Sequence, residues 1–386
     1  MSPVANWSYP TAVRMGAGRI SEIAEACKAS GITKPLLITD AGLASMPITT
    51  KTLDLMDSAG LGRAMYSDVK PNPVERNIHA GVAAYKAGGH DGVVAFGGGS
   101  GLDAAKLVAF MSGQSRPIWD FEDIGDWWTR ADPKGIAPVI AVPTTAGTGS
   151  EVGRAGVVTN EETHTKKVIF HPLMMPKIVI CDPELTAGMP AEITAGTGMD
   201  ALAHCLEAYC SPFYHPMSAG IGVEGIRLVK EALPRAYKDG NDLDARADMM
   251  SAAAMGAVAF QKGLGAIHSL SHPVGSLYDT HHGLTNAVFM PYVLKFNRAE
   301  IEARIVRLAG YLELKNQTFE GFVDWILALR AELGVPNTVK ELGVPDDKAD
   351  LIAEMAIVDP TAGGNPRELT KEGALEIFRN AYEGKL

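Results

Sequence analysis

Three histidines and one aspartate in the second half of the chain have the residue types and spacing of a site for one divalent metal. Asp200 and His204 lie four residues apart in a segment with helical apolar periodicity, so their side chains are expected on one helix face. His268 and His282 bracket a further apolar segment that contains glycine. Three imidazoles and one carboxylate suit Fe(II) or Zn(II). For any one of these residues an ordinary structural role is the simpler interpretation, but the four together predict a metal centre.

A fifth histidine, His272, follows His268 by four residues. Pro273 comes directly after it and is expected to disturb the helix, which weakens the case for a shared face. We therefore interpret His272 as a proton relay or a substrate contact rather than as a fifth ligand. His281, next to His282, is expected at the surface.

A second signal, in the first half of the chain, is typical of a nucleotide site. The run Gly97-Gly-Gly-Ser100 follows a β-rich segment and precedes a helical one, so that backbone N–H groups and a helix N-terminus can hold a pyrophosphate. Alone, such a run is equally typical of a tight turn without a ligand. A second polar loop at residues 143–151 also follows a β-rich segment. The two loops together favour a dinucleotide.

Asp40 ends another β-rich segment. A carboxylate at that point can accept hydrogen bonds from ribose hydroxyls and repel a 2′-phosphate, which favours NAD over NADP. A helix cap or a turn is the alternative role. Since Asp40 precedes the glycine loop and the standard glycine pattern is absent, a variant nucleotide domain is expected.

The predicted secondary structure that positions these residues differs between the two halves of the chain. Buried strands are predicted at 35–39, 92–96, 139–142 and 177–181, and helices between them at 20–29 and 102–111. This alternation predicts an α/β nucleotide-binding domain with a parallel sheet over residues 1–187. Residues 188–386 are predicted as an all-α metal-binding catalytic domain, with helical periodicity at 225–233, 245–260 and 322–333. An active site in the cleft between the two halves is the natural expectation.

Composition excludes several classes of protein. With 386 residues, 46% of them hydrophobic and 21% charged, the chain has the composition of a globular protein of two domains. A net charge of −10 argues against nucleic acid or an anionic membrane as the main partner. No secretory signal is evident, and the four cysteines lack scaffold spacing. A cytoplasmic protein with reduced thiols is expected.

The order and spacing of these motifs resemble the iron-containing (group III) alcohol dehydrogenases. The matching segments are Gly97-Gly-Gly-Ser100, residues 143–152, residues 198–204, residues 268–275 and residues 282–287. The resemblance implies a catalytic metal held by Asp200, His204, His268 and His282, and it implies a homo-oligomer, a dimer. It also implies NAD(P) contacts from Asp40, Asn72, Gly98, Gly99, Ser100, Thr144, Thr145, Thr148 and Lys166. A shift of one residue would exchange Lys166 for Lys167.

The predicted function is reversible hydride transfer between a small alcohol, or its aldehyde or ketone, and NAD(H). A divalent metal would act as a Lewis acid towards the substrate oxygen, and the nicotinamide would carry the hydride. His272 is the candidate for passing the proton to solvent. Alternatives are a maleylacetate reductase or another NAD(P)-dependent reductase of this architecture and, from a different class, a non-catalytic nucleotide- or metal-binding protein. Lactaldehyde, propanediol, hydroxybutyrate and simple alkanols all fit as substrates.

Overall fold

The computed structural model describes Tyr9, residues 11–163 and residues 165–386. The described residues divide into two compact units, one of residues 9–188 and one of residues 189–386. The first unit mixes strands and helices, whereas the second is helical.

Parallel strands with helices between them build the first unit. Its described residues form strands β1 (Ala12–Met15), β2 (Pro35–Ile38), β3 (Met65–Tyr66), β4 (Gly92–Gly97), β5 (Val139–Pro143), β6 (Ala155–Asn160), β7 (Thr165–Phe170) and β8 (Ile178–Cys181). The α-helices are α1 (Ile23–Ala29), α2 (Pro47–Ser58), α3 (Glu75–Gly88) and α4 (Gly99–Met111). Six strands pair in parallel in the order β1-β8-β5-β4-β2-β3, and β6 and β7 form a separate antiparallel hairpin. The predicted parallel α/β fold is confirmed.

The buried strands owe their position to their apolar runs. Every residue of β2, β4 and β5 is buried, and α4 packs on this sheet. Strands covered on both faces read as continuous apolar runs, which is why these strands were predictable. The sheet aligns Gly97 at the end of β4 with Pro143 at the end of β5. The glycine-rich loop and the second polar loop therefore begin next to each other, at the C-terminal ends of two neighbouring parallel strands.

The second unit, residues 189–386, is described throughout and contains no strand. Its α-helices are α5 (Ala191–Cys210), α6 (Pro216–Lys238), α7 (Leu243–Ala259), α8 (Ala266–Tyr278), α9 (His282–Tyr311), α10 (Phe319–Glu332), α11 (Ala349–Val358) and α12 (Lys371–Glu383). Helices α6, α7 and α9 pack around α5, most of whose residues are buried. The predicted all-α second half is confirmed. Among the described residues, no helix combines the length and apolarity needed to span a membrane.

The expectation that Pro273 disturbs the helix is wrong. Helix α8 runs through this proline without interruption. A proline inside a helix removes one backbone hydrogen bond and crowds the preceding turn. Here the neighbouring Ile267, Leu270 and Val274 are each at most 1% exposed, so their burial on the same helix offsets the loss. His268 and His272 consequently lie on one continuous helix.

Candidate metal centre and nucleotide site

The four predicted metal ligands come together in the helical unit. Oδ1 of Asp200 lies 3.8 Å from Nε2 of His204, 3.7 Å from Nε2 of His268 and 3.5 Å from Nε2 of His282. Donor atoms of Asp200, His204 and His268 all lie within 4.8 Å of one another, which makes these three the tightest group. His282 lies next to this group, because its Nε2 is close to Oδ1 of Asp200. Helices α5, α8 and α9 thus each supply part of one donor cluster.

The electrostatics of this cluster suit a cation. Burial disfavours the charged carboxylate of Asp200, but the surrounding His204, His282 and His268 outweigh burial and hold its pKa far below the ordinary value. Burial likewise disfavours a protonated His268, yet Glu207 and Asp200 outweigh it and raise the pKa of that imidazole to about 9. A buried carboxylate that stays ionised and is surrounded by imidazoles is a set of donors that suits a divalent metal ion.

Two buried residues that were not predicted hold the ligands in place. Glu207 lies on α5 one turn beyond His204, with Oε2 at 2.5 Å from Nδ1 of His268. Asn286 lies on α9 one turn beyond His282, and its amide nitrogen donates to Oδ1 of Asp200 at 2.8 Å. The same nitrogen is 3.2 Å from Nε2 of both His268 and His282. Residues one helical turn from a ligand are the local signal that could have identified both.

His272 lies beside the cluster with a carboxylate partner of its own. Its ring centroid is 5.4 Å from that of His282 and 5.8 Å from that of His268. Nδ1 of His272 is 2.9 Å from Oδ2 of Asp359, whose Oδ1 accepts hydrogen bonds from the backbone N–H and the hydroxyl of Thr361. Burial raises the pKa of the Asp359 carboxyl, but His272 and Thr361 outweigh burial and lower it overall. Asp359 is therefore an ionised group that orients His272.

The expectation that His281 lies at the surface is wrong. The side chain is half-buried and caps the N-terminus of α9, where Nδ1 accepts the backbone N–H of Leu284 at 3.3 Å. Its ring also packs on Gly196, at which a Cβ would lie 2.5 Å from the imidazole. A residue directly before a helix is well placed to cap it, and that role explains His281.

The two predicted nucleotide loops contact each other at the edge of the parallel sheet. The backbone N–H of Thr144 donates to the carbonyl of Gly97 at 2.9 Å. A Cβ at Gly98 would lie 3.1 Å from Cγ2 of Thr145, and a Cβ at Gly99 would lie 2.6 Å from Cγ2 of Thr148. Glycine is therefore required where the loops meet.

Asn72 approaches the glycine loop, and the hairpin that carries Lys166 lies beside the segment of Asn72. The backbone N–H of Asn72 points to the Ser100 hydroxyl at 3.4 Å, and Asn72 has a left-handed φ of 55°, which asparagine tolerates well. Lys166 pairs with Thr159 in the β6–β7 hairpin, and the N–H of Thr159 donates to the carbonyl of Pro73 at 2.8 Å. The hairpin strand that pairs with Lys166 thus lies beside the segment that carries Asn72.

The two hairpin lysines differ in their surroundings. Nζ of Lys167 makes an ion pair of 2.9 Å with Glu122. Neighbouring residues of a strand point to opposite faces, so Lys166 faces away from that ion pair.

Asp40 has the predicted turn role, and its other carboxylate oxygen faces the glycine loop. Oδ1 accepts the backbone N–H groups of Gly42 and Leu43 at 2.9 and 3.0 Å, so the carboxylate fixes a turn after β2. Oδ2 faces the glycine loop, because a Cβ at Gly97 would lie 3.7 Å from it. The turn role therefore leaves the second oxygen directed towards the nucleotide loops.

Asp103 and Lys106, which were not predicted, link α4 to the second loop. Lys106 is 1% exposed, and its ammonium donates to the carbonyl oxygens of Ser150 and Ala155. Oδ1 of Asp103 accepts the hydroxyl of Ser150 at 2.5 Å. Their spacing of three residues on one helix face after the glycine run is the signal that could have identified them.

Comparison with known proteins finds matches over both units of the chain. The family model for iron-containing alcohol dehydrogenase matches residues 10–183, and the model for the C-terminal part of the Fe-containing alcohol dehydrogenase family matches residues 194–382. The chain is 38% identical to a 4-hydroxybutyrate dehydrogenase of Cupriavidus necator over 93% of this chain and 95% of the relative. It is 34% identical to an NAD-dependent methanol dehydrogenase of Bacillus methanolicus over 98% of this chain and all of that protein. A crystal structure of a 1,3-propanediol oxidoreductase superposes with a TM-score of 0.93 at 34% identity, covering 98% of this chain and 100% of that one.

The two-unit architecture with a histidine-rich donor cluster defines a metal-dependent oxidoreductase. The chain belongs to the family of iron-containing alcohol dehydrogenases. The predicted function, hydride transfer between a small alcohol and NAD(H), is confirmed, and so are the predicted cofactors NAD and iron.

Proposed function

We propose that Asp200, His204, His268 and His282 hold the catalytic metal, Fe(II) with Zn(II) as the alternative. The observation that supports this most strongly is the Asp200 oxygen, which has a ring nitrogen of each of the three histidines within 3.8 Å. Because Asp200 is 2% exposed, its charge requires cationic partners inside the protein. This donor set suits both Fe(II) and Zn(II), and availability decides between them.

The chain's own residues must transfer the proton of the alcohol hydroxyl group. When bound, the metal supplies Lewis acidity towards the substrate oxygen, and NAD supplies the hydride acceptor. We propose that His272 carries the hydroxyl proton at Nε2, since Nδ1 is directed to Asp359 at 2.9 Å. The ionised Asp359 stabilises the imidazolium that forms and fixes the ring's orientation. His272 is therefore the proposed catalytic residue, and Asp359 is its positioning residue.

The nucleotide is proposed to bind at the paired loops of the first unit. The proposed contacts are those of Asp40, Asn72, Gly98, Gly99, Ser100, Thr144, Thr145, Thr148 and Lys166. Support comes from the start of both loops at one sheet edge and from the Oδ2 atom of Asp40 directed to them. Lys166 is preferred to Lys167 because the family resemblance points to it first and because the two side chains point to opposite faces of the hairpin, that of Lys167 towards Glu122. A carboxylate at Asp40 favours NAD over NADP.

The proposed substrates are short primary alcohols and their aldehydes. The relatives are named for 4-hydroxybutyrate, methanol and 1,3-propanediol, each of which carries its hydroxyl on a terminal carbon. We propose a cytoplasmic location, which agrees with the four cysteines, all of them buried and not in disulfides. The family resemblance is the basis for proposing a homodimer.

An alcohol and aldehyde panel tests the proposal. Protein reconstituted separately with Fe(II) and Zn(II) is assayed by NADH absorbance with methanol, 1,3-propanediol, 4-hydroxybutyrate and a secondary alcohol, with NAD and with NADP. We expect turnover with primary alcohols, higher with NAD, and none in the metal-free protein. Turnover independent of added metal would contradict the proposed role of the metal. A preference for the secondary alcohol would overturn the substrate class.

A further inference from the structure

Glu207 is a buried acidic residue beside the candidate metal centre, in contact with the proposed ligand His268. It is 6% exposed and follows Asp200 by seven residues and His204 by three on helix α5. These spacings place all three side chains on one helix face. The same helix therefore carries two proposed ligands and a second carboxylate, that of Glu207, which is directed at a neighbouring helix.

Both oxygens of Glu207 are engaged by the start of helix α8. Oε2 lies 2.5 Å from Nδ1 of His268, and Oε1 accepts the backbone N–H of Ile267 at 2.7 Å. Gly265 permits this approach, since a Cβ at that position would lie 3.1 Å from Oε1. The carboxylate thus holds both the imidazole of His268 and the backbone next to it.

We propose that Glu207 is the positioning residue that prepares His268 to bind the metal. By accepting a hydrogen bond from Nδ1, the carboxylate keeps a proton on that nitrogen, so that Nε2, 3.7 Å from Oδ1 of Asp200, is the nitrogen that would bind the metal. A carboxylate behind a ligating histidine fixes the tautomer and increases the basicity of the ligand. This inference rests on the proposed metal site.

A merely structural role for Glu207 would make a different prediction. Asn365 also anchors α8, because its Oδ1 accepts the backbone N–H of Ala266 at 3.1 Å. The other hydrogen bonds of Asn365 go to Asn297 and to the backbone of Arg367. Asn365 therefore anchors the helix start through the backbone, whereas Glu207 also holds the ring. Comparing the two residues separates anchoring of the helix from preparation of the ligand.

The decisive variant is Glu207→Gln. A glutamine amide has one acceptor oxygen, so it can accept from either His268 or Ile267 while its NH₂ group faces the other donor. We expect the affinity for Zn(II), measured by competition with a chelator, to fall roughly 10- to 100-fold. The visible absorption spectrum of the Co(II)-substituted protein should shift as well, because the basicity of one ligand changes. Glu207→Asp, which keeps the charge but shortens the side chain, should show a smaller change in the same direction.

Three further variants complete the experiment. Glu192→Gln, on the exposed first turn of α5, controls for loss of charge from this helix. Asn365→Ala should lower the melting temperature without altering the Co(II) spectrum. Wild-type zinc affinity in both Glu207 variants, or an equal loss and an equal spectral change in Asn365→Ala, would overturn the inference. Wild-type zinc affinity in His268→Ala would instead show that the proposed metal site is wrong.

Discussion

The two units of this enzyme build their sites by different means. In residues 9–188 the nucleotide loops meet through backbone atoms, as in the bond from Thr144 N–H to the Gly97 carbonyl. In residues 189–386 the proposed metal centre consists of side chains, such as Asp200 and His282, from different helices. The first site depends on glycine and loop geometry, and the second depends on individual donor groups.

This difference determines how each site should respond to mutation. Backbone donors persist when a side chain is replaced, unless a new Cβ intrudes, as it would at Gly99. A proposed metal ligand cannot be substituted in this way, and one of them, His268, is held in place by a buried hydrogen bond to Glu207. Single substitutions of the proposed metal ligands should therefore have large effects, whereas those in the proposed nucleotide loops should have graded effects.

The largest effect is expected for His268→Ala. Loss of this ligand should remove the metal and lower turnover by roughly 10³-fold or more, because the Lewis-acid contribution amounts to several kcal/mol. The dissociation constant for NADH should stay within a few-fold of wild type, since the nucleotide loops belong to the other unit. Metal analysis, kcat and fluorescence titration with NADH measure these three quantities. His79→Ala, an exposed histidine on α3, serves as the control. Full activity in metal-free His268→Ala would end the metal interpretation.

A smaller loss is expected for His272→Ala, which should keep its metal. Removing a positioned acid–base group typically costs roughly 10²-fold in turnover. Added imidazole should restore part of the rate, and the solvent deuterium isotope effect on kcat should change. Asp359→Asn should act in the same direction but more weakly, because it only orients the ring. Loss of metal from His272→Ala would identify His272 as a ligand, whereas unchanged metal and rate would leave it as a packing or substrate contact.

The sequence predicts what local spacing encodes. The four-residue step from Asp200 to His204 and the continuous apolar runs of β4 and β5 were sufficient to predict a ligand pair and a parallel sheet. The partnership of His272 with Asp359 was not predictable, because 87 residues separate them. Strand β3 has only two residues, too few for any periodicity to appear. Long-range pairs of polar groups depend on tertiary packing, which a single sequence does not reveal.

Cofactor choice should change by one to two orders of magnitude when Asp40 is replaced. Asp40→Gly removes both the charge and the turn, whereas Asp40→Asn keeps an acceptor for Gly42 and Leu43 and removes only the charge. If the charge repels a 2′-phosphate, both variants should raise the NADP/NAD ratio of kcat/KM roughly 10- to 100-fold, which is about 1.4–2.8 kcal/mol. A change in the glycine variant alone would assign the effect to turn geometry. No change in either would limit Asp40 to the turn.

The smallest effect on turnover is expected from Glu151, which instead controls how stability depends on pH. Glu151 is 3% exposed beside the second nucleotide loop, and burial raises its pKa to about 7, although its own backbone N–H and Lys106 partly oppose this. In the unfolded chain the pKa of Glu151 has its ordinary value of 4.5, so the carboxyl releases its proton above that pH. The folded protein keeps this proton up to a pH of about 7. Stability should therefore fall as pH rises from about 5 to 7, by roughly 1.4 kcal/mol per pH unit.

Glu151→Gln should remove this slope, because glutamine has no proton to release. At roughly 2–4 °C per kcal/mol, the difference between the two proteins is measurable as their melting temperatures at pH 5 and pH 7. The neutral variant should be the more stable protein at pH 7, with little difference at pH 5. The carboxylates of the helical unit have the opposite tendency, since the pKa of Asp359 is lowered and its contribution is lost on acidification. Parallel melting curves for wild type and Glu151→Gln across this range would show that Glu151 is ionised in the folded protein and paired with Lys106. In that case Glu151 in the first unit, like Asp359 in the helical unit, would be a carboxylate that stays ionised in the folded protein, and this difference between the two units would disappear.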